Sequence, residues 1–143
     1  MKLFLCTIIL SFILFISCSL FEREDDLGFW YEIDDPTLTQ DSSLVPGVWN
    51  WGWSTYYFTS TGRPAKHTPQ TTGYTEKLVF KTDGTVSVYR NEELTSTHNY
   101  AIEDTWSLSF GNRKYQFGVN EPKMVLSIAY VDGPEKIYFR GDE

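Results

Sequence analysis

Apolar and polar residues alternate with a period of two along most of the chain after Pro46. This period is typical of strands that bury one face, and no stretch in this region has the longer period of an amphipathic helix. Turn-forming sequences such as Thr82-Asp83-Gly84 separate the alternating segments. The pattern predicts eight strands, at residues 47–58, 76–81, 85–90, 94–102, 105–110, 114–119, 124–130 and 136–140, with a long polar loop at 59–75.

Eight strands joined mostly by short connections, with no candidate crossover helix, indicate an all-β protein with an antiparallel up-and-down sheet. A sheet of this kind exposes two edges unless it closes on itself, and closure removes both edges. We therefore predict a small antiparallel eight-stranded barrel within residues 46–143. A two-sheet β-sandwich built from the same strands is the alternative.

The first residues of the chain have the pattern of an export signal. Lys2 precedes an apolar run from Leu3 to Ile16, which is shorter than the roughly 20 residues that a membrane-spanning helix needs. The sequence that ends this run, Phe15-Ile16-Ser17-Cys18, resembles the lipobox of bacterial lipoproteins. An uncleaved anchor helix, or a secreted protein with an unpaired thiol, is the alternative.

The lipobox resemblance implies a signal peptide at residues 1–17 and acyl chains on Cys18, which would become the new N-terminus. Two or more acyl chains make membrane anchoring effectively permanent. Ser19 stands where lipoproteins retained in the inner membrane of two-membrane bacteria have aspartate. The resemblance therefore implies a lipid-anchored protein of the cell outer membrane.

Negative charge is concentrated directly after Cys18. Residues 19–45 contain eight acidic side chains against the single Arg23, whereas residues 46–143 contain eleven acidic and ten basic side chains. We interpret residues 18–45 as an acidic tether that holds the domain away from anionic lipid headgroups. Acid-rich octapeptides such as residues 19–26 also resemble the surface-export tags of some outer-membrane lipoproteins. The overall negative charge argues against nucleic-acid binding.

The first predicted strand opens with Gly47-Val48-Trp49, which resembles the Gly-x-Trp start of the lipocalin family. The pattern from there through Ile137-Tyr138-Phe139-Arg140 is similar to the lipocalin-like domains of small bacterial lipoproteins. The resemblance implies an eight-stranded barrel in which Trp49 lies at the closed end beneath Arg140. The chain departs from the transport lipocalins in its short domain, its lack of disulfides and the absence of a C-terminal helix after the last strand.

Aromatic residues make up 17% of the chain, and many occupy the predicted inward faces. Their number favours a largely filled interior in so short a barrel. The remaining space is predicted away from Trp49, beneath the 59–75 loop, where a small apolar or amphipathic ligand would contact Trp53, Tyr57, Phe80 and Phe117. The predicted inward rings are Trp49, Trp51, Trp53, Tyr57, Phe80, Tyr100, Trp106, Phe110, Tyr115, Phe117, Tyr130 and Phe139.

Two further functions remain open at this point. Aromatic side chains that point outward could stack on sugar rings, and the predicted register turns Tyr56, Phe58, Tyr74 and Tyr138 to the outside. A glycan-binding surface module is therefore one alternative. A scaffold or accessory subunit with no small ligand is the other.

Catalytic chemistry has no support in the sequence. His67 and His98 have no Cys, His or carboxylate at metal-ligand spacing, and there is no nucleophile elbow, phosphate-binding glycine loop or paired-carboxylate motif. We therefore expect a protein that is not an enzyme and that needs no metal or other cofactor.

Overall fold

The computed structural model describes residues 32–57, 64–128 and 133–142, without the side chains of Tyr57 and Pro64. These described residues form nine antiparallel strands and very little helix. The strands are β1 Gly47–Tyr57, β2 Pro64–His67, β3 Glu76–Phe80, β4 Thr85–Arg90, β5 Glu93–Asp104, β6 Ser107–Phe110, β7 Arg113–Val119, β8 Lys123–Ser127 and β9 Glu135–Arg140. One four-residue helix, α1, spans Pro69–Thr72.

The sheet closes into a barrel because β1 pairs with both β3 and β9. From β3 onward each strand pairs with the next one along the chain, which gives the up-and-down order. The prediction of an all-β, closed eight-stranded antiparallel barrel is confirmed, and the β-sandwich alternative is wrong. We call the end of the barrel where Trp49 pairs with Arg140 the lower end, and the end where β9 begins the upper end.

The ninth strand, β2, lies in the segment that was predicted to be a polar loop. It pairs with the second half of β1, from Ser54 to Tyr57, along the edge that β3 occupies lower down. The following helix α1 is held by a capping box at Thr68 and ends at Gly73, which has a φ of 73°. β2 is not predictable from the sequence, because its four residues of mixed polarity show no clear alternation.

A β-bulge in β1 changes which rings point inward. Trp49 and Trp51 face the interior, but the pairing with β9 shifts by one residue at Gly52. Trp53 therefore faces outward, whereas Ser54 returns to the interior and accepts a hydrogen bond from Trp51 Nε1 at 3.0 Å. The prediction that Trp53 points inward is wrong, since the bulge reverses the face of every later residue of the strand.

The register of β9 is also opposite to the predicted one. Tyr138 is buried in the interior core, whereas Ile137 belongs to a separate cluster on the outer wall and Phe139 is partly exposed. A similar error affects Trp106, which was predicted to point inward but lies in the turn between β5 and β6 with 53% of its surface exposed. In β9 both faces carry large apolar residues, so alternation alone leaves the face undecided. Trp106 follows the alternation of Leu108 and Phe110, but β6 begins only at Ser107, so residue 106 belongs to the turn before the strand.

The outer cluster exists because the chain before β1 packs on the barrel wall. Ile33 and Leu38 cover Val125 and Ile137, and a Cβ on Gly118 would approach Leu38 to 3.0 Å. The main chain of Thr39 forms a bridge with Val119 in β7. The second half of the acidic segment, residues 32–45, is therefore part of the folded unit.

Electrostatic contacts reinforce this packing. The Lys123 ammonium lies between the carboxylates of Asp35 and Glu32, and its contact with Asp35 lowers the pKa of that carboxyl to about 2. Glu135 is almost fully buried beside this segment and accepts a hydrogen bond from the Glu32 amide at 2.8 Å. Burial raises the pKa of Glu135.

Several sequence predictions concern residues outside the described ranges. These are the signal peptide at 1–17, the lipidated Cys18 with the first part of the tether, the orientation of Phe58, and the ring of Tyr130. Within residues 32–57, 64–128 and 133–142, no helix has the length and apolar character required to cross a membrane.

Candidate functional site: the upper end of the barrel

Trp49 and Arg140 close the lower end of the barrel. The guanidinium carbon of Arg140 lies 4.2 Å from the centroid of the Trp49 ring, which is fully buried. The Trp49 indole donates to the carbonyl of Val45 at 2.8 Å. Arg140 itself donates to three carbonyls, those of Leu44, Pro46 and Glu121, at 2.6, 3.1 and 2.7 Å. This single side chain therefore ties together the entry to β1, the β7–β8 turn and β9.

The lower and middle parts of the interior are filled with side chains. Phe80 packs edge-on against Tyr100 and Phe110, with ring centroids 5.1 and 5.7 Å apart. Phe117, across the barrel, is fully buried. The other fully buried members of this core are Val45, Trp49, Leu78, Val86, Leu108, Val119, Met124, Leu126 and Tyr138.

The four residues predicted to line a ligand pocket are therefore not brought together. Phe80 and Phe117 belong to the interior core, whereas Trp53 lies on the outer surface. There the Trp53 ring contacts Phe139 at a centroid distance of 5.4 Å and has the Lys66 ammonium 4.0 Å above it. The side chain of Tyr57 is outside the described part of the chain.

A polar network replaces the apolar core at the upper end of the interior. Glu76 begins β3 two residues before the buried Leu78, and its carboxylate accepts two hydrogen bonds from Lys136 Nζ at 2.8 and 3.1 Å. The hydroxyl of Tyr138 also donates to Glu76. Burial, together with the adjacent carboxylate, raises the pKa of Tyr138 well above its ordinary value, so this hydroxyl remains a donor.

Stacked aromatic rings lie beside this network. The ring of Tyr74, which follows α1, lies parallel to Trp51 with a centroid distance of 5.0 Å and an interplanar angle of 10°. The guanidinium of Arg90, at the upper end of β4, lies 4.2 Å from the centroid of the same Tyr74 ring. The inward orientation of Tyr74 corrects the prediction that its ring faces outward.

Tyr56 and His67 form a third ring contact at this end, with centroids 4.9 Å apart. Tyr56 lies two residues beyond Ser54 and therefore on the same face of β1. Burial, with Tyr74 and Glu76 nearby, raises the pKa of Tyr56. The expectation that Tyr56 and Tyr138 form an outward platform for sugar stacking is wrong, because Tyr138 is buried and Tyr56 faces this cluster.

The upper end thus combines flat aromatic surfaces with convergent polar groups. We call the set Trp51, Tyr56, Tyr74, Glu76, Arg90, Lys136 and Tyr138 the upper cluster. Sites that bind small organic molecules have this composition, with apolar walls and a few placed donors and acceptors. Within the described ranges, no group of three or more His, Cys, Asp or Glu side chains could hold a metal ion.

Glu76, Arg90 and Lys136 are not predicted as site residues from the sequence, because charged residues near strand ends are usually solvated. A signal was nevertheless present for two of them. Glu76 shares its strand face with Leu78 and Phe80, and Lys136 shares its face with Tyr138. With the correct register, the alternation places both charges on the inward side of the barrel.

No family model matches the chain, and no curated protein sequence is significantly similar to it.

Proposed function

We propose that this chain is a lipid-anchored bacterial outer-membrane lipoprotein whose lipocalin-like barrel binds a small amphipathic molecule at the upper cluster. The observation that carries the binding proposal is the stack of Trp51, Tyr74 and Arg90 beside the Glu76–Lys136 ion pair. Because the lower and middle interior is filled, the ligand would bind at the upper end. The proposal assigns binding to the protein and no catalytic step.

The side chains of the upper cluster favour a particular ligand chemistry. Trp51 and Tyr74 stack on each other and the Arg90 guanidinium covers the Tyr74 ring, so a flat apolar group would pack against the edges of this stack, and the exposed Arg90 guanidinium attracts an anionic group. Lys136 already has Glu76 as its partner, so Arg90 is the more accessible cation. The proposed ligand is therefore a flat amphipathic molecule with one negative charge.

Binding can be measured with anilinonaphthalenesulfonate, a flat aromatic anion whose fluorescence rises in apolar sites. We expect the full chain to bind this dye, and Arg90→Gln to weaken the affinity roughly fivefold to tenfold because an ion pair with the sulfonate is lost. Lys81→Gln is the matched control, since Lys81 is an exposed cation at the lower end of the barrel. Equal affinities for the wild type and Arg90→Gln would contradict the assigned site.

Native mass spectrometry of the full chain purified from its own host tests the natural ligand independently. A bound mass that is lost in Arg90→Gln supports the proposal. A chain that carries no bound molecule and that fails to bind the dye would favour the scaffold function instead.

The lipid anchor rests on the lipobox resemblance and is tested by fractionation. We expect Cys18→Ser to move most of the protein from the membrane fraction to the soluble fraction, because the acyl chains contribute about 0.8 kcal/mol for each buried CH₂. Cys6→Ser is the matched control, since Cys6 belongs to the proposed signal peptide and would leave with it. Equal membrane association of both variants would overturn the anchor.

A further inference from the structure

In the part of the chain that the structure describes, the barrel wall has a gap beside the upper half of β5. This strand pairs with β4 from Glu93 to Asn99, but it pairs with β6 only from Tyr100 to Asp104. On the β6 side of Glu93–Asn99, no strand of the described chain continues the sheet. The short strand β6 ends at Phe110, where the chain turns at Gly111 into β7.

Main-chain groups of β5 point into this gap. The amide of Tyr100 donates to the carbonyl of Gly84 at 2.9 Å, so Tyr100 directs its main-chain groups towards β4. Successive residues of an antiparallel strand direct their main-chain N–H and C=O groups alternately to one neighbouring strand and to the other. Thr97 and Asn99 therefore direct these groups away from β4, into the gap. Among the described residues these groups have no main-chain partner, and unpaired main-chain groups of this kind are a template for another strand.

The side chains along this edge do little to prevent strand addition. Residues 94–100 contain no proline and no Lys, Arg, Asp or Glu. The extra residue at Thr95 bends the start of the strand, which leaves Ser96–Asn99 as the regular part of the edge. Leu94, just before the bend, has 57% of its surface exposed.

A groove of about 690 Å³ lies between this edge and the β6–β7 turn. Its inner side is lined by His98, Tyr100 and Phe110, all of which are half-buried. By contrast, the inward residues Phe117 and Leu126 of β7 and β8 are fully buried. Tyr100 pairs with Phe110 across β5 and β6, whereas His98 lies beyond this last pair, beside Gly111, where no described strand covers its ring.

We propose that the free edge of β5 binds an extended peptide, which adds as an antiparallel strand beside Ser96–Asn99 and continues the line of β6. Four main-chain hydrogen bonds to Thr97 and Asn99 would hold the peptide. One apolar peptide side chain would enter the groove between His98 and Phe110. The next peptide residue would point outward beside Thr97 and is polar, so the recognised sequence alternates apolar and polar residues.

The peptide acetyl-Lys-Thr-Val-Thr-Val-Thr-Lys-amide is a suitable probe, because its valines alternate with threonines. We expect its addition to shift the amide resonances of Thr97 and Asn99 in the nitrogen-labelled full chain. Thr97→Pro should weaken binding at least about tenfold, since it removes an edge donor and places a ring on the edge. Proline is tolerated at an edge position whose N–H has no partner within the sheet.

Thr97→Val is the matched control. Both variants lose the Thr97 hydroxyl, but valine keeps the main-chain donor, so its affinity should stay within about twofold of the wild type. A peptide with both valines replaced by proline should not bind the wild type, and this control does not depend on the folding of any variant.

Unchanged binding of the probe to folded Thr97→Pro, or no resonance shift at millimolar peptide, would overturn the proposal. It would also be overturned if the chain forms a Thr97→Pro-sensitive dimer that excludes the peptide, because the edge then belongs to a second copy.

Discussion

Trp49→Ala is expected to lower the free energy of unfolding by about 4 kcal/mol. The ring is fully buried, and its indole nitrogen donates to the Val45 carbonyl. Alanine would leave a cavity at the lower end and would remove the surface on which the Arg140 guanidinium lies. In a domain of about this size, the loss corresponds to a fall in melting temperature of roughly 15–25 °C. Urea unfolding followed by far-ultraviolet circular dichroism measures it.

Trp106→Ala is the control for this prediction, because Trp106 is largely exposed in the β5–β6 turn. Its removal should change the free energy of unfolding by less than about 0.5 kcal/mol. Comparable losses in the two variants would mean that Trp49 does not close the lower end in the way the contacts indicate.

The closed barrel was predictable because most strands bury only one face. In β3 and β7 the alternation that places Leu78, Phe80 and Phe117 inward is also the alternation in the sequence. The turn at Asp83-Gly84 supplies a residue with positive φ where the hairpin requires it. For these elements the local sequence and the three-dimensional structure agree, and no distant contact was needed to choose the face.

The register of β1 was only half predictable. Trp49, Trp51 and Trp53 share one period, so the sequence places all three on one face. The bulge at Gly52 depends on β9, because Phe139 packs where a Cβ of residue 52 would lie, 2.5 Å from the ring. A close contact between β1 and β9, which are distant along the chain, therefore decides which way Trp53 points. The residue pattern of β1 alone carries no information about this contact.

The candidate site was less predictable than the fold. In β9 the inward Tyr138 lies between Ile137 and Phe139, and either face is apolar enough to be buried. The choice depends on residues 32–38, which cover Ile137 from outside and make an apolar outer wall favourable. Once Tyr138 faces inward, Lys136 follows it into the barrel and meets Glu76. The central polar contact of the site is therefore a consequence of packing by a segment that had been interpreted as a tether.

Removing only one partner of the Glu76–Lys136 ion pair is expected to lower the free energy of unfolding more than removing both partners. Both side chains are largely buried, with 13% and 23% of their surfaces exposed. Lys136→Met should lower the free energy of unfolding by about 3 kcal/mol, because among the described side chains the Glu76 carboxylate then keeps only the Tyr138 hydroxyl as a hydrogen-bond partner. Glu92→Gln breaks the more exposed pair with Lys77 and should cost less than about 1 kcal/mol.

The double variant Glu76→Gln/Lys136→Met separates the cost of an unpaired charge from the value of the pair. Its free energy of unfolding should recover to within about 1 kcal/mol of the wild type, because no charge remains uncompensated inside the barrel. Strict additivity of the two single changes, measured by urea unfolding, would mean that the charges do not interact in solution.

Because Gln and Met keep the volume of the upper cluster, the dye affinity of the folded double variant also shows whether ligand binding requires the charges. If dye affinity falls in this variant while stability is retained, the ion pair is kept for recognition, since an apolar substitute serves the fold equally well.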